Sequence, residues 1–141
     1  MEAVAAGQHG GTMSVAPLLS YEALGQAGRV RLVLTPVGRG VVLALHGSWH
    51  EALPPADADK VLAAIAAARP AGLGVDLSAC PHLASVALGF LVLSWQEAHA
   101  AGARTGVVCA QPKVEAMLKI LGLNQFLRAV RTPADLAIAL A

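Results

Sequence analysis

Residues 75–91, with the sequence VDLSACPHLASVALGFL, decide the fold of this chain. The apolar residues around Asp76 are typical of a strand in the interior of a sheet, and a short polar turn follows them. After Ser85 the apolar residues continue for the length of a helix. A hydroxyl at a helix start can accept hydrogen bonds from the free N–H groups of the first turn. We therefore predict a strand, a turn and a helix that begins at Ser85.

Composition limits the classes of protein that this chain can belong to. At 141 residues it is long enough for one domain with its own core. Hydrophobic residues make up 56%, charged residues 13%, and the net charge is +1. Because the arginines are dispersed along the sequence, we do not expect a nucleic-acid partner. The apolar runs are too short for a transmembrane segment, and with neither a Walker motif nor GxGxxG present we expect no cofactor.

The two cysteines, Cys80 and Cys109, are far apart and form no CxxC pair. The N-terminus shows no apolar stretch typical of a signal peptide. These features predict a cytoplasmic protein with reduced thiols.

The first half of the chain predicts a hairpin followed by a crossover. We interpret residues 1–20 as a tail and residues 21–141 as the domain. Residues 30–34 alternate as a half-exposed strand, and residues 41–47 form a more buried one. A helix over residues 60–68 has Asp57 or Asp59 as its expected cap. The strand at 73–77 should then pair in parallel through a right-handed crossover.

The second half repeats the alternation of strand and helix. The helix from Ser85 should end before Gly102, a strand follows at 105–110, and Pro112 opens a helix that ends at Gly122. The inward face of that helix is predicted to hold Val114, Met117, Leu118 and Leu121. A short strand near 129–130 and a helix from Thr132 or Pro133 complete an α/β domain. We predict a mixed sheet of four to five strands with about four helices mainly on one face.

Several of these stretches together resemble the STAS domain of anti-sigma factor antagonists, over roughly residues 29–140. The matching pieces are VVLALHG at 41–47, VDLS at 75–78, LASVALGFL at 83–91, AGARTGVV at 101–108, PKVEAMLKILGLNQFL at 112–127 and TPADLAIAL at 132–140. The resemblance implies a regulatory binding module that is not an enzyme.

In that family a serine that directly follows an aspartate is phosphorylated by a partner that is both an anti-sigma factor and a kinase. The resemblance places Ala84 at the aspartate and retains the serine as Ser85. Val86 replaces a second serine, Ala87 replaces a glycine, and the following Leu-Gly pair matches. Ser85 is thus the phosphorylation candidate, with helix capping alone as the alternative.

The expected partner surface surrounds Ser85. A phosphate there would place close to two negative charges in an apolar contact and disfavour docking. Trp49 is either an exposed anchor for the partner or a lid over the sheet edge. The predicted contact residues are His82, Leu83, Ala84, Val86, Leu88, Gly89, Phe90 and Trp49.

Alternatives of other classes remain at this point. One is the small STAS subunit of a phospholipid-transport ABC complex, docked permanently on its transporter subunits. Another is a hydrolase with Ser85 and His82, which the lack of flanking glycines disfavours. A metal site at His46 and His50 is disfavoured by their spacing. Trp95 is expected in the core and Asp76 in a turn, and a homodimer is left open.

Overall fold

The computed structural model describes residues 16–109, 111–125 and 127–140. These residues form six strands, four helices and one short 3-10 helix. The strands are β1 (Leu19–Gly25), β2 (Gly28–Val37), β3 (Gly40–His46), β4 (Gly72–Asp76), β5 (Arg104–Val108) and β6 (Leu127–Val130). The helices are α1 (Pro55–Ala68), α2 (Ser85–Ala100), α3 (Pro112–Ile120) and α4 (Pro133–Leu140), and the 3-10 turn covers Leu123–Gln125.

All six strands form one mixed sheet in the order β1-β2-β3-β4-β5-β6. The first three strands are antiparallel, and each connection from β3 onward joins parallel neighbours. The predicted α/β class, the hairpin of β2 and β3 and the parallel crossover are therefore confirmed.

The sheet has one strand more than the upper limit of the predicted four to five, because β1 is not among the predicted strands. β1 starts before residue 21, the predicted start of the domain, and its Tyr21 pairs with Leu32 of β2. Its inward positions alternate with exposed ones, so the signal was present but brief. Of the predicted tail, residues 1–15 lie outside the described residues.

Three helices pack on one face of the sheet and α4 packs on the other. The main core lies under α1, α2 and α3 and includes the fully buried Trp95, whose Nε1 donates to the Gly106 carbonyl at 3.3 Å. The second cluster joins Val108 to Leu136 and Leu140 of α4. The predictions of helices mainly on one face and of a core Trp95 are confirmed.

Most predicted helix ends are confirmed, whereas the predicted cap of α1 is wrong. Pro112 opens α3, while Gly102 and Gly122 take positive φ values of 88° and 76° just beyond the ends of α2 and α3. Neither Asp57 nor Asp59 caps α1, because the chain already enters the helix at Pro55, with Pro54 at the cap position. Proline suits this position since its φ is already helical.

Glycines on β4 and β5 let α4 approach the sheet closely. An added Cβ on Gly74 would lie 2.8 Å from both Cδ atoms of Leu136, and one on Gly106 would lie 2.9 Å from its Cδ1. Leu136 is only 1% exposed and has little room to move. The absence of side chains at these positions therefore sets the distance between α4 and the sheet.

We expect Gly74→Ala to lower the free energy of unfolding by about 1–3 kcal/mol, because the new methyl overpacks against Leu136. The matched control is Gly89→Ala on α2, where an added Cβ meets no atom within 4 Å. That change should raise the free energy by about 0.5–1 kcal/mol through better helix propensity. Urea denaturation followed by circular dichroism measures both, and an unchanged Gly74→Ala would show that α4 can shift freely.

Candidate functional site

The turn after β4 is held by Asp76. Its Oδ1 accepts hydrogen bonds from the Ser78 backbone N–H at 2.9 Å and from the Ser78 hydroxyl at 2.6 Å. The Cys80 Sγ–H then donates to the His82 carbonyl at 3.2 Å. The predicted structural role of Asp76 is confirmed, and the segment that leads to α2 has a defined path.

Backbone hydrogen bonds join this segment to the loop after β3. The Trp49 N–H donates to the His82 carbonyl at 2.9 Å, and the Ala84 N–H donates to the Trp49 carbonyl at 2.8 Å. Gly47, with φ of 89°, makes the sharp turn that brings this loop across, and its N–H donates to the Ala79 carbonyl at 3.0 Å. The position of the α2 start is therefore fixed by two loops rather than one.

Trp49 is a buried lid and not an exposed anchor. Only 4% of it is exposed, its Nε1 donates to the His46 carbonyl at 3.1 Å, and its ring centroid lies 6.3 Å from that of Tyr21. Exposure of Trp49 was the wrong alternative, because the loop folds back over the sheet edge. Its side chain belongs to the main core and lies beside Tyr21 of β1.

Ser85 is the first residue of α2, and its side chain is exposed. Ala84 takes the cap position, and no side chain caps the helix. The prediction that the Ser85 hydroxyl caps α2 is therefore wrong, because the residue lies one position too far along the chain. The Ser85 hydroxyl makes no hydrogen bond to any described residue. The helix start thus presents a free hydroxyl beside N–H groups with no side-chain acceptor.

An apolar groove of about 440 Å³ runs from Ser85 between α2 and α3. Two of its lining residues expose large hydrophobic side chains: Leu121 is 56% exposed and Ile120 is 83% exposed. Val86, which follows Ser85 in the chain, is 58% exposed. We call this surface the Ser85 groove. Its lining residues are Ser85, Leu88, Gly89, Val92, Met117, Ile120 and Leu121.

The structure brings together only some of the predicted contact residues. Leu88 and Gly89 line the Ser85 groove, and Val86 is exposed at the helix start. Ala84 and Phe90 are half-buried. Leu83 is 4% exposed and belongs to the core, because its backbone bridges to Trp49 and turns its side chain inward.

His82 does not face Ser85 as a base. Its ring stacks on that of His50, with centroids 4.4 Å apart and planes inclined by 27°. The two histidines lie on the two loops that these backbone hydrogen bonds join, so their stacking also stabilises the contact between the loops. No hydrogen bond between the His82 ring and the Ser85 hydroxyl is present, so the geometry gives the hydrolase alternative no support.

The contribution of α3 to the groove was missed from the sequence. Val114 and Leu118 face inward as predicted, whereas Met117 is half-buried and Leu121 is exposed, against the prediction that all four face inward. The signal was the apolar pair at the end of α3, Ile120 and Leu121, directly before Gly122. One α-helical face cannot bury two adjacent residues of this kind equally.

Both thiols are shielded. Burial raises the pKa of the Cys80 thiol above its usual value, although hydrogen bonds to the backbone partly offset this. Burial likewise raises the pKa of the half-buried Cys109, whose Sγ–H donates to the Gln111 carbonyl at 3.3 Å. A raised pKa means less thiolate at neutral pH, so neither group is an activated nucleophile.

Within residues 16–109, 111–125 and 127–140, no group of three or more His, Cys, Asp or Glu side chains is placed to hold a metal ion. In the same part of the chain, no helix has the length and apolar character needed to cross a membrane.

Comparison with known families identifies the class of protein. The STAS domain model matches residues 39–136. This range covers more than half of the chain, runs from β3 to the first half of α4 and contains the whole Ser85 groove. The chain therefore belongs to the STAS domain family. No curated protein sequence matches it.

Solved structures with the same fold include several anti-sigma factor antagonists. One from Mycobacterium paratuberculosis superposes with a TM-score of 0.63 and 22% identity, covering 90% of this chain and 98% of that one. The Bacillus cell fate determinant SpoIIAA, in its phosphorylated form, gives a TM-score of 0.60 and 18% identity, with 78% and 99% covered. The unphosphorylated form of SpoIIAA gives 0.58 and 18%, with 76% and 94% covered. At these identities the likeness concerns the fold.

We expect Trp49→Ala to lower the free energy of unfolding by about 3–5 kcal/mol, since it empties the site under the two loops. Trp49→Phe is the matched control: it keeps a ring but loses the hydrogen bond to His46, which should cost about 0.5–1.5 kcal/mol. Urea denaturation compares the two. Equal small losses for both would mean that the loops hold their positions without the indole.

We also expect iodoacetamide to alkylate Cys109 before Cys80 at neutral pH, because Cys80 is 1% exposed and Cys109 is half-buried. Raising the pH should speed both reactions by increasing the thiolate fraction. Peptide mass spectrometry over time measures the two rates. Faster labelling of Cys80 would show that the segment between Asp76 and Ser85 opens readily.

Proposed function

We propose that the chain is a regulatory binding module of the anti-sigma factor antagonist type. Its Ser85 groove docks a protein partner, and phosphorylation of Ser85 releases that partner. The observation that carries the proposal is the position of Ser85: an exposed, unbonded hydroxyl at the edge of an apolar groove that no other part of the described chain covers.

The exposed hydrophobic side chains around the groove support docking by burial. Three large hydrophobic side chains in this region are mostly exposed: Ile120, Leu121 and Val86. Each large aliphatic side chain contributes about 1.5–3 kcal/mol when it passes from water into a contact. A few such residues at the centre of an interface are enough to hold a partner.

The start of α2 supports phosphorylation of Ser85 without unfolding. A phosphate on the first residue of a helix lies close to free N–H groups and to the positive end of the helix dipole. No side chain caps α2, and the N–H groups of Ser85 and Val86 donate to no described backbone carbonyl, so these two are available to the phosphate oxygens. The modified domain would keep its fold while the groove entrance acquires close to two negative charges.

The effect of that charge falls on the partner. Docking over the groove would remove the phosphate from water, and an unpaired charge in an apolar interface costs several kcal/mol. The partner class that fits both steps is a serine kinase that also binds the groove, as in the kinase-type anti-sigma factors to which the resemblance points. On this proposal the protein acts in the cytoplasm, in the regulation of transcription, and is not itself an enzyme.

We expect the chain, purified from cells that make it naturally, to carry one phosphate at Ser85. Intact-mass and peptide mass spectrometry measure it, and Ser85→Ala should remove it. The matched control is Ser20→Ala, which changes another exposed serine on β1. A phosphate that persists in Ser85→Ala, or one lost in both variants, would contradict the assignment of the site.

Docking is tested separately from phosphorylation with the partner that co-purifies with the wild-type chain. We expect Ser85→Asp and Ile120→Asp to weaken its binding at least about tenfold, or about 1.4 kcal/mol, through charge at the groove. Ser85→Ala and Ser20→Asp should leave the binding unchanged. Isothermal titration calorimetry gives the affinities.

The pattern of results separates the alternatives. If Ser85→Asp and Ser85→Ala bind equally well while Ile120→Asp does not, the groove docks a partner without a switch, as a permanently assembled transporter subunit would. If none of the groove variants alters binding, the partner uses another surface and the proposal is wrong.

A further inference from the structure

Arginines that are dispersed in the sequence gather in a second groove, on the sheet face that α4 covers. Three of the ten Lys and Arg residues of the chain line this groove of about 340 Å³: Arg104, Arg128 and Arg131. Asp135 and the exposed Ile138 of α4 also line it. We call it the arginine groove.

The register of the sheet explains how the arginines meet. Gly106 of β5 faces Leu136 of α4, as the close approach of an added Cβ shows. Arg104 lies two residues earlier on β5 and so on the same face. Arg128 of β6 is paired directly with Gly106, which places it on this face too. Arg131 follows in the turn between β6 and α4.

The arginine groove has an excess of positive charge. Even with Arg104 left out, Arg128 and Arg131 face a single described carboxylate, Asp135, so the described lining keeps a surplus of positive charge. The guanidinium groups of Arg128 and Arg131 make no hydrogen bond or ion pair with a described residue. Both residues are exposed. A guanidinium with free donors is a strong site for bidentate binding of a carboxylate.

We propose that the arginine groove docks an acidic segment of a protein partner. The groove is shallow and borders the edge strand β6, which suits an extended chain with several carboxylates. Ile138, 73% exposed, offers an apolar contact beside the charges. None of its described lining residues is aromatic, so the stacking that single-stranded nucleic acid requires is not provided there.

The arginine groove is independent of the Ser85 groove. α2, which holds Ser85, packs on the opposite face of the sheet, as the Trp95 bond to Gly106 and the position of α4 show. Arg104 begins β5, whereas Ser85 follows the far end of β4. Both surfaces can therefore be occupied at once, and this proposal does not depend on the function proposed for Ser85.

The test uses a fluorescein-labelled peptide of ten glutamates and the full chain, with fluorescence anisotropy as the readout. We expect the double variant Arg128→Ala, Arg131→Ala to weaken binding at least about tenfold, since the loss of one charge-assisted hydrogen bond lowers the affinity by about that factor. The matched control Arg29→Ala, Arg31→Ala removes the same charge from β2. It should change the affinity less than about threefold, because distant charges are screened.

Two further measurements sharpen the test. Asp135→Asn should tighten binding, because it removes the carboxylate of the groove and keeps the backbone N–H that donates to Thr132. Amide chemical shifts in NMR spectra should move at residues 128–138 and not around Ser85. Tighter binding of an oligothymidine of equal charge would overturn the acidic-peptide assignment in favour of nucleic acid.

The remaining outcomes also decide the matter. Equal losses in the two double variants would mean that the peptide senses only net charge, and the proposal would be wrong. If the Arg128→Ala, Arg131→Ala variant binds as the wild type does but self-associates in analytical ultracentrifugation, the arginines serve to keep the edge strand β6 from pairing. That result would overturn the proposal as well.

Discussion

The pair of backbone hydrogen bonds between Trp49 and the segment 82–84 is the contact on which the site depends. It joins the loop after β3 to the loop after β4, so the start of α2 cannot move without opening both. The buried indole beneath it and the stacked rings of His50 and His82 support the same junction. The two loops therefore fix the position of Ser85 at the start of α2.

The close packing of α4 against the other face of the sheet also shapes the surface of the domain. Because β4 and β5 carry glycines where α4 crosses them, this helix lies close to the sheet and covers its second face with few residues. The domain consequently offers two separate surfaces, an apolar one at Ser85 and a positively charged one at β6 and α4. Apolar burial and charge complementarity favour different kinds of partner, which is why the two surfaces are proposed as separate docking sites.

Much of the fold follows from local sequence patterns. The buried strands β3, β4 and β5 appear as short apolar runs, and proline and glycine mark both ends of α3. The order strand, helix, strand predicts parallel pairing, because the helix returns the chain to the end of the sheet from which the first strand began. β1 was missed because its alternation is brief and precedes an exposed turn. The cap of α2 was misplaced by one residue, since Ala84 has no polar side chain that could signal its role.

The sequence by itself determined the α/β class, the buried strands β3, β4 and β5 and Ser85 as the residue at the start of α2, because these depend on periodicity and on residues close in the chain. Only the tertiary structure decided that Trp49 is buried, that α3 completes the Ser85 groove and that Arg104 meets Arg128 and Arg131. Each of these requires contact between segments far apart in sequence. Loop closure and strand register create such contacts, and no local pattern records them.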